Sequence, residues 1–199
     1  MKKSRILTEQ RILDALETLL LEQGFPEVGI NAIAREAGCD KVLIYRYFDG
    51  FDGLLQRFAS EHDLWWSVDE IITENMDEIS QMSMSKFLNL LLRRHIKALQ
   101  ARPLTQEIMA WELSASNPLT QALHKMRSEQ GMLLVKQVRL HFSQPGIDIG
   151  GILGIFGSAI NHLIIRTRHR HSEYEKEEWW RLEQTISGLL NCQTQGLKT

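Results

Sequence analysis

The chain has 199 residues, 43% hydrophobic and 24% charged, a balance that suits a globular protein with a real core and excludes a disordered or fibrous chain. With 25 Asp and Glu against 23 Lys and Arg the formal net charge is −2. No general basic excess marks a nucleic-acid partner, so any positive patch has to be local.

Only four prolines and few alternating β-branched runs predict helices nearly throughout. From Thr8 to Gln23 the apolar residues Ile12, Leu16, Leu19 and Leu20 recur at helical spacing, and Gly24 stops the helix. After a short link at Phe25-Pro26, the stretch IAREAGCDKVLIYRYF from Ile33 to Phe48 reads as two short helices around a tight turn. Ile33, Ala34 and Ala37 form the inner face of the first, and Ile44 and Phe48, four apart, that of the second. Gly38 takes the left-handed backbone conformation at the bend. Asp40 caps the second helix, with Cys39 and Ile44 at the spacing of a hydrophobic staple.

The outward face then carries Lys41, Val42, Tyr45 and Arg46, with Leu43 and Tyr47 at its margins. Positive charge and hydroxyls suit DNA phosphates, and apolar tips suit thymine methyls. The alternative is a plain packed hairpin, which helix-glycine-helix also forms.

Further helices are predicted from Asp52 past Trp65 and Trp66 towards Ile72, from Ser85 to Ala101 with a stop near Pro103, and from Thr105 to Ser114. Pro118 opens the next, which runs to Phe142. Pro145-Gly146 marks a turn, and two last helices cover Asp148 to His169 and Tyr174 to Asn191, joined by the charged link Arg170 to Glu173 and followed by a frayed tail from Gln193.

Cys39 and Cys192 lack metal-ligand spacing and read as reduced thiols of a cytoplasmic protein. Lys2, Lys3 and Arg5 precede no long apolar core, so no signal peptide is expected. No membrane span is expected either, because the most apolar run, Ile147 to Ile165, is interrupted by glycines, Asn161 and His162. Nucleophile elbow, phosphate loop and His-Glu zinc helix are absent from the sequence, so neither an enzyme nor a cofactor is expected. His169 and His171 flank Arg170 in what reads as a solvated turn more readily than a metal site.

The segment ILDALETLLLEQGF (Ile12 to Phe25), then IAREAGCDKVLIYRYF and the Leu54-Leu55 pair, resembles the TetR family of one-component bacterial transcriptional regulators. The resemblance covers about the first quarter of the chain. It implies an all-α fold with a three-helix helix-turn-helix DNA-binding domain over residues 1–51 and a helical effector-binding and dimerisation domain over 52–199. It also implies that Lys41 and Tyr47 bind phosphates, that Val42, Leu43 and Tyr45 face base edges, and that Arg46 lies near the backbone. The chain departs from the family pattern at Gly29, where many members have a capping threonine, at Val42-Leu43, where they have small or polar residues, and at Asp49 to Asp52, where a lysine is common.

The resemblance further implies a homodimer through the last two helices and a small-molecule cavity in the helical body. The helix from Asp148 is glycine-rich and apolar nearly all round, so something must cover it. A second copy or the chain's own helices could do so. Interface candidates are Ile152, Phe156, Ala159, Ile160 and Leu163, with Leu182, Ile186 and Leu189 on the final helix. Candidates for the effector cavity are Trp65, His95, Met109, Trp111, Glu112, Phe156 and Asn161. The expected function is that of a ligand-responsive repressor on a pseudo-palindromic double-stranded DNA operator, released by a small molecule. The alternative is a helical ligand-binding or protein-interaction module whose helix-turn-helix no longer binds DNA.

Overall fold

A computed structural model of the chain describes residues 2–142, 147–169 and 173–195. The predicted turn at Pro145-Gly146 and the link residues Arg170 and His171 lie outside them. All the regular structure described is helical: α1 (Lys2–Glu22), a 3-10 turn (Phe25–Glu27), α2 (Ile30–Glu36), α3 (Val42–Phe48), α4 (Phe51–Glu61), α5 (Val68–Ile71), α6 (Met76–Ser80), α7 (Met84–Gln100), α8 (Pro103–Glu112), α9 (Pro118–His141), α10 (Ile149–Thr167) and α11 (Glu173–Gln195).

The chain forms two compact units, the first running to Trp65 and including Arg102–Arg127, the second comprising Trp66–Ala101 and the chain from Ser128. In the first unit, α1 packs on α2 and on α8, and α3 packs on α4. Ile12, Leu16, Leu19 and Leu20 of α1 meet there with Ile33, Ile44, Leu54, Leu55 and Phe58, all sealed from solvent. Ile108 and Met109 of α8 and Leu119 and Leu123 of α9 are buried in the same unit. In the second unit α7 is the central element, packed on α5, α10 and α11. Its Phe87, Leu88, Leu91, Ile96 and Leu99 are buried together with Ile160 and Ile164 of α10 and Ile186 and Leu190 of α11.

Several boundaries differ from expectation. Helix α1 begins at Lys2 instead of Thr8, held by an Arg5–Glu9 pair at 2.6 Å and by the Thr8 hydroxyl donating to Ser4 O at 2.9 Å. Those first turns bury no stripe, so apolar periodicity gives no sign of them. The predicted long fourth helix stops at Glu61. His62 is extended (φ −123, ψ 137) and its Nδ1 donates to Phe58 O at 2.8 Å. Past it, the Thr105 hydroxyl holds Leu64 O at 3.0 Å, and Ser67 caps the separate helix α5 by accepting from Glu70 N.

Helix α6 is additional, started by a capping box in which Asn75 and Glu78 each accept from the other's backbone amide. Pro103 sits in the first turn of α8, where its missing donor costs nothing. Helix α11 continues to Gln195, past the expected fraying point at Gln193. Helix α10, at 19 residues, is long and apolar enough by length and composition alone to cross a membrane, a test that a core helix also passes. One side of it packs on α7, and Asn161 within it is hydrogen-bonded to His95.

Candidate nucleic-acid interface

Helix α2 ends as its sequence dictates. Gly38 takes φ +60, Cys39 N reaches back to Ala34 O at 3.0 Å, and Gly38 N to Arg35 O at 3.2 Å. These paired bonds form the Schellman motif, which satisfies the last carbonyls and reverses the chain. Asp40 then opens α3, its Oδ1 accepting from Val42 N at 2.9 Å and its backbone carbonyl from Leu43 N at 2.9 Å. Cys39 is half-buried, and burial raises its thiol pKa, with the Arg11 charge opposing and Asp40 adding to the rise. It stays protonated at neutral pH and acts as a small hydrophobe.

With Ile44 and Phe48 turned into the core, α3 presents its opposite side to solvent. Val42 is 52% and Tyr45 55% exposed. Lys41 and Arg46 are exposed, and Leu43 and Tyr47 are half-buried at the edges. All six predicted contact residues therefore sit on or beside one face of a seven-residue helix.

The far end of α3 is fixed just as closely. Asp49 takes the left-handed conformation (φ 61) and Gly50 φ +100. A Cβ at Gly53 would lie 1.7 Å from Phe48 O, so α4 starts against the last turn of α3 only because residue 53 has no side chain. Sequence reasoning passed over two residues here. One is Gly53. The other is Arg5 of α1, whose guanidinium carbon lies 5.0 Å from the centre of the Tyr47 ring.

The effector candidates fall into two groups. In the first unit, Trp65, Met109 and Trp111 are buried. Trp111 stacks on Phe25 (6.1 Å, 17°) and meets Phe51 at 6.4 Å. Glu112 takes a two-pronged pair from Arg127 at 2.7 and 2.8 Å, while the Arg127 guanidinium lies 5.8 Å from the Trp65 ring centre. In the second unit, buried His95 accepts at Nδ1 from Trp66 Nε1 at 2.8 Å and donates from Nε2 to Asn161 Oδ1 at 2.9 Å. These partners fix one neutral tautomer. Burial lowers its pKa to about 4, with the Asn161 bond opposing. Phe156 is half-buried.

Of the interface candidates, Ile160, Leu163 and Ile186 are buried within the single chain, which leaves them almost no surface for a second copy. Ile152, Phe156 and Leu182 are half-buried, and Ala159 and Leu189 are exposed. Ile155 of α10, 70% exposed, and Trp180 of α11, 63% exposed, stand further out than Leu189 at 51%. His169 is exposed, and the described residues hold no group of three or more His, Cys, Asp or Glu placed to bind a metal ion.

Residues 12–58 match the family model described as bacterial regulatory proteins, tetR family. Over these residues, about a quarter of the chain, it is similar to the amino-terminal domain of the TetR family. Two HTH-type transcriptional regulators from Mycobacterium tuberculosis are 44% identical to it over 48 residues, a match spanning 24% of this chain and 24% of each relative. Among solved structures, the fatty acid degradation regulator FadR from Bacillus halodurans aligns over 96% of both chains with a TM-score of 0.56 at 19% identity. FadR from Bacillus subtilis, solved in complex with stearoyl-CoA, aligns over 94% of this chain and 98% of that one with a TM-score of 0.54 at 17% identity. Over that stretch the chain is similar to the amino-terminal helix-turn-helix of these regulators, and the likeness to the solved structures shows a shared all-helical fold over 94–96% of the chain.

Proposed function

We propose that the chain is a ligand-responsive repressor that binds a pseudo-palindromic operator as a homodimer. Residues 1–51 hold the DNA-contacting surface, and 52–199 hold the effector and dimer functions. The observation that carries this is the face of α3 left bare once Ile44 and Phe48 are buried. Lys41 and Tyr47 bind phosphates, Val42, Leu43 and Tyr45 meet base edges in the major groove, and Arg46 lies along the backbone. Apolar Val42 and Leu43 favour thymine methyls over polar readout of guanine.

The exposed side of α10, with Ile155, Ala159 and half-buried Ile152, supports pairing with a second copy, as do Trp180 and Leu189 on α11. Two copies of α3 then sit about 34 Å apart, one turn of DNA. The effector is a small molecule that lowers DNA affinity by binding more tightly to a conformation in which that separation fits poorly; only this difference in affinity can shift the equilibrium. Candidates for its contacts are Trp65, Met109, Trp111 and Glu112 in one unit and His95, Phe156 and Asn161 in the other. Binding of stearoyl-CoA by the Bacillus subtilis neighbour makes long-chain acyl thioesters the first class to assay.

The exposed carboxylates Asp40, Asp49 and Asp52 beside α3 favour the one rival, a ligand-binding module that no longer holds DNA. Fluorescence anisotropy with duplex taken from DNA flanking the gene, over a salt series, separates the two. For a repressor the logarithm of the binding constant falls linearly with the logarithm of salt, and Lys41→Ala reduces that slope by about 0.9 per DNA-binding domain. Affinity that is weak and indifferent to both salt and Lys41 refutes the proposal.

A further inference from the structure

We infer that Arg5, on the first turns of α1, is a further phosphate-binding group of the DNA interface and acts in tandem with Tyr47. This rests on the proposal that Tyr47 meets the backbone. Three observations carry it. Helix α1 extends up to Lys2, so Arg5 is held on a rigid element and not on a loose leader. Its guanidinium lies over the Tyr47 ring, 5.0 Å from the centre, within cation–π range. Its Nε donates to Glu9 Oε1 at 2.6 Å, so one edge of the fork is anchored to its own helix, one turn along.

An arginine gripped at Nε and stacked on an aromatic face has lost most of its rotamer freedom before any ligand arrives, and its two terminal nitrogens are the part of the fork left to bind an oxyanion. Paired parallel donors suit phosphate, and ordering them in advance lowers the entropic cost of binding. A phosphate that accepts from the Tyr47 hydroxyl lies beside the group stacked on that same ring. The stack in turn fixes the Tyr47 ring, so the two residues form one clamp built from α1 and α3. A stripe of cations at the surface would bind phosphate too. Here the ring shelf and the Glu9 anchor set a direction that an isolated surface arginine lacks.

Duplex from DNA flanking the gene is the probe, with the full-length protein and a salt series. Arg5→Gln removes the charge while keeping a good helix former, and its thermal melt confirms folding. Losing one ionic contact lowers the salt slope by about 0.9 per DNA-binding domain, which corresponds to about eightfold weaker binding at 0.1 M salt and convergence with the parent near 1 M. Tyr47→Phe weakens binding by a similar factor at every salt concentration and leaves the slope alone, because no charge is lost. Arg5→Lys restores the slope. On a Tyr47→Ala background, where the shelf is gone, Arg5→Gln costs less than it does alone.

The inference is overturned if Arg5→Gln keeps the parental slope and affinity while Lys41→Ala lowers both; the DNA-binding proposal then survives without Arg5. If the parent protein shows no salt-dependent binding at all, both fall together.

Discussion

The second unit contains a buried histidine whose titration is a direct measure of how that unit is built. His95 sits between Trp66 and Asn161 as a neutral ring, accepting from one and donating to the other, and burial lowers its pKa from 6.5 to about 4. Above pH 6.5 the ring is neutral in both folded and unfolded chains, and the histidine contributes nothing to pH dependence. Between 6.5 and 4 the unfolded chain takes up a proton that the folded chain refuses, so stability falls as pH falls through this window. At about pH 5 the two pKa values give a loss of about 2 kcal/mol relative to neutral pH, or a drop in Tm of about 4–8 °C for a chain of this size. The Arg94 hydrogen bond holds the Glu74 carboxyl below its usual range, and the contribution of that group to pH dependence is shared by the parent and a variant at His95. Thermal melts at about pH 7, 6 and 5 check the effect against His95→Gln, whose amide offers an acceptor to Trp66 and a donor to Asn161 but takes up no proton. The parent should lose stability over this range by about 2 kcal/mol more than the variant. Parallel pH profiles would refute the buried neutral tautomer.

Three further outcomes follow from the geometry. Gly53→Ala places a methyl 1.7 Å from Phe48 O, so the α3–α4 junction has to open; a loss of about 3 kcal/mol is expected together with loss of DNA binding, and an unchanged melt would contradict the close approach. Gly29 caps α2 in extended conformation (φ −167, ψ 162) without a side-chain bond and with open space where a Cβ would go. Gly29→Ser should therefore add about 0.5–1 kcal/mol and raise Tm by about 1–4 °C; no rise would mean that the α2 start is already satisfied. Ile155→Arg, at a 70% exposed position, should leave the helical circular dichroism spectrum intact and yield monomers in light scattering, whereas a persisting dimer would exclude this face of α10.

The turn between α2 and α3 was readable because each residue there answers a local requirement. Gly38 is needed for the positive φ, Asp40 for the orphan amides, and Ile44 and Phe48 for the spacing that leaves Lys41, Val42, Tyr45 and Arg46 outside. Arg5 was not readable, because its partner is 42 positions away in the chain and the turn it stands on buries no periodic stripe. The break after α4 was missed because Trp65 and Trp66 suit a helix face as well as an extended segment. There the deciding contacts are long-range, from Thr105 to Leu64 O and from Trp66 to His95. The Asn75–Glu78 capping box was present in the sequence as a start signal for α6, which apolar periodicity alone overlooks in a helix of five residues. On α10 and α11, composition announced that apolar faces needed covering but not which ones α7 would cover. Ile160, Leu163 and Ile186 went inside, and Ile155 and Trp180 stayed out. For the effector candidates, a buried tryptophan or methionine has the same sequence signature whether it lines a cavity or fills a core.

Footprinting on the DNA flanking this gene tests the central claim most directly. The account predicts two protected patches on one face of the duplex, about one helical turn apart, which disappear together in Lys41→Ala. A folded, dimeric protein that leaves that DNA uniformly open to cleavage, or protection that persists without Lys41, would contradict the assignment of α3 as the element that holds the operator.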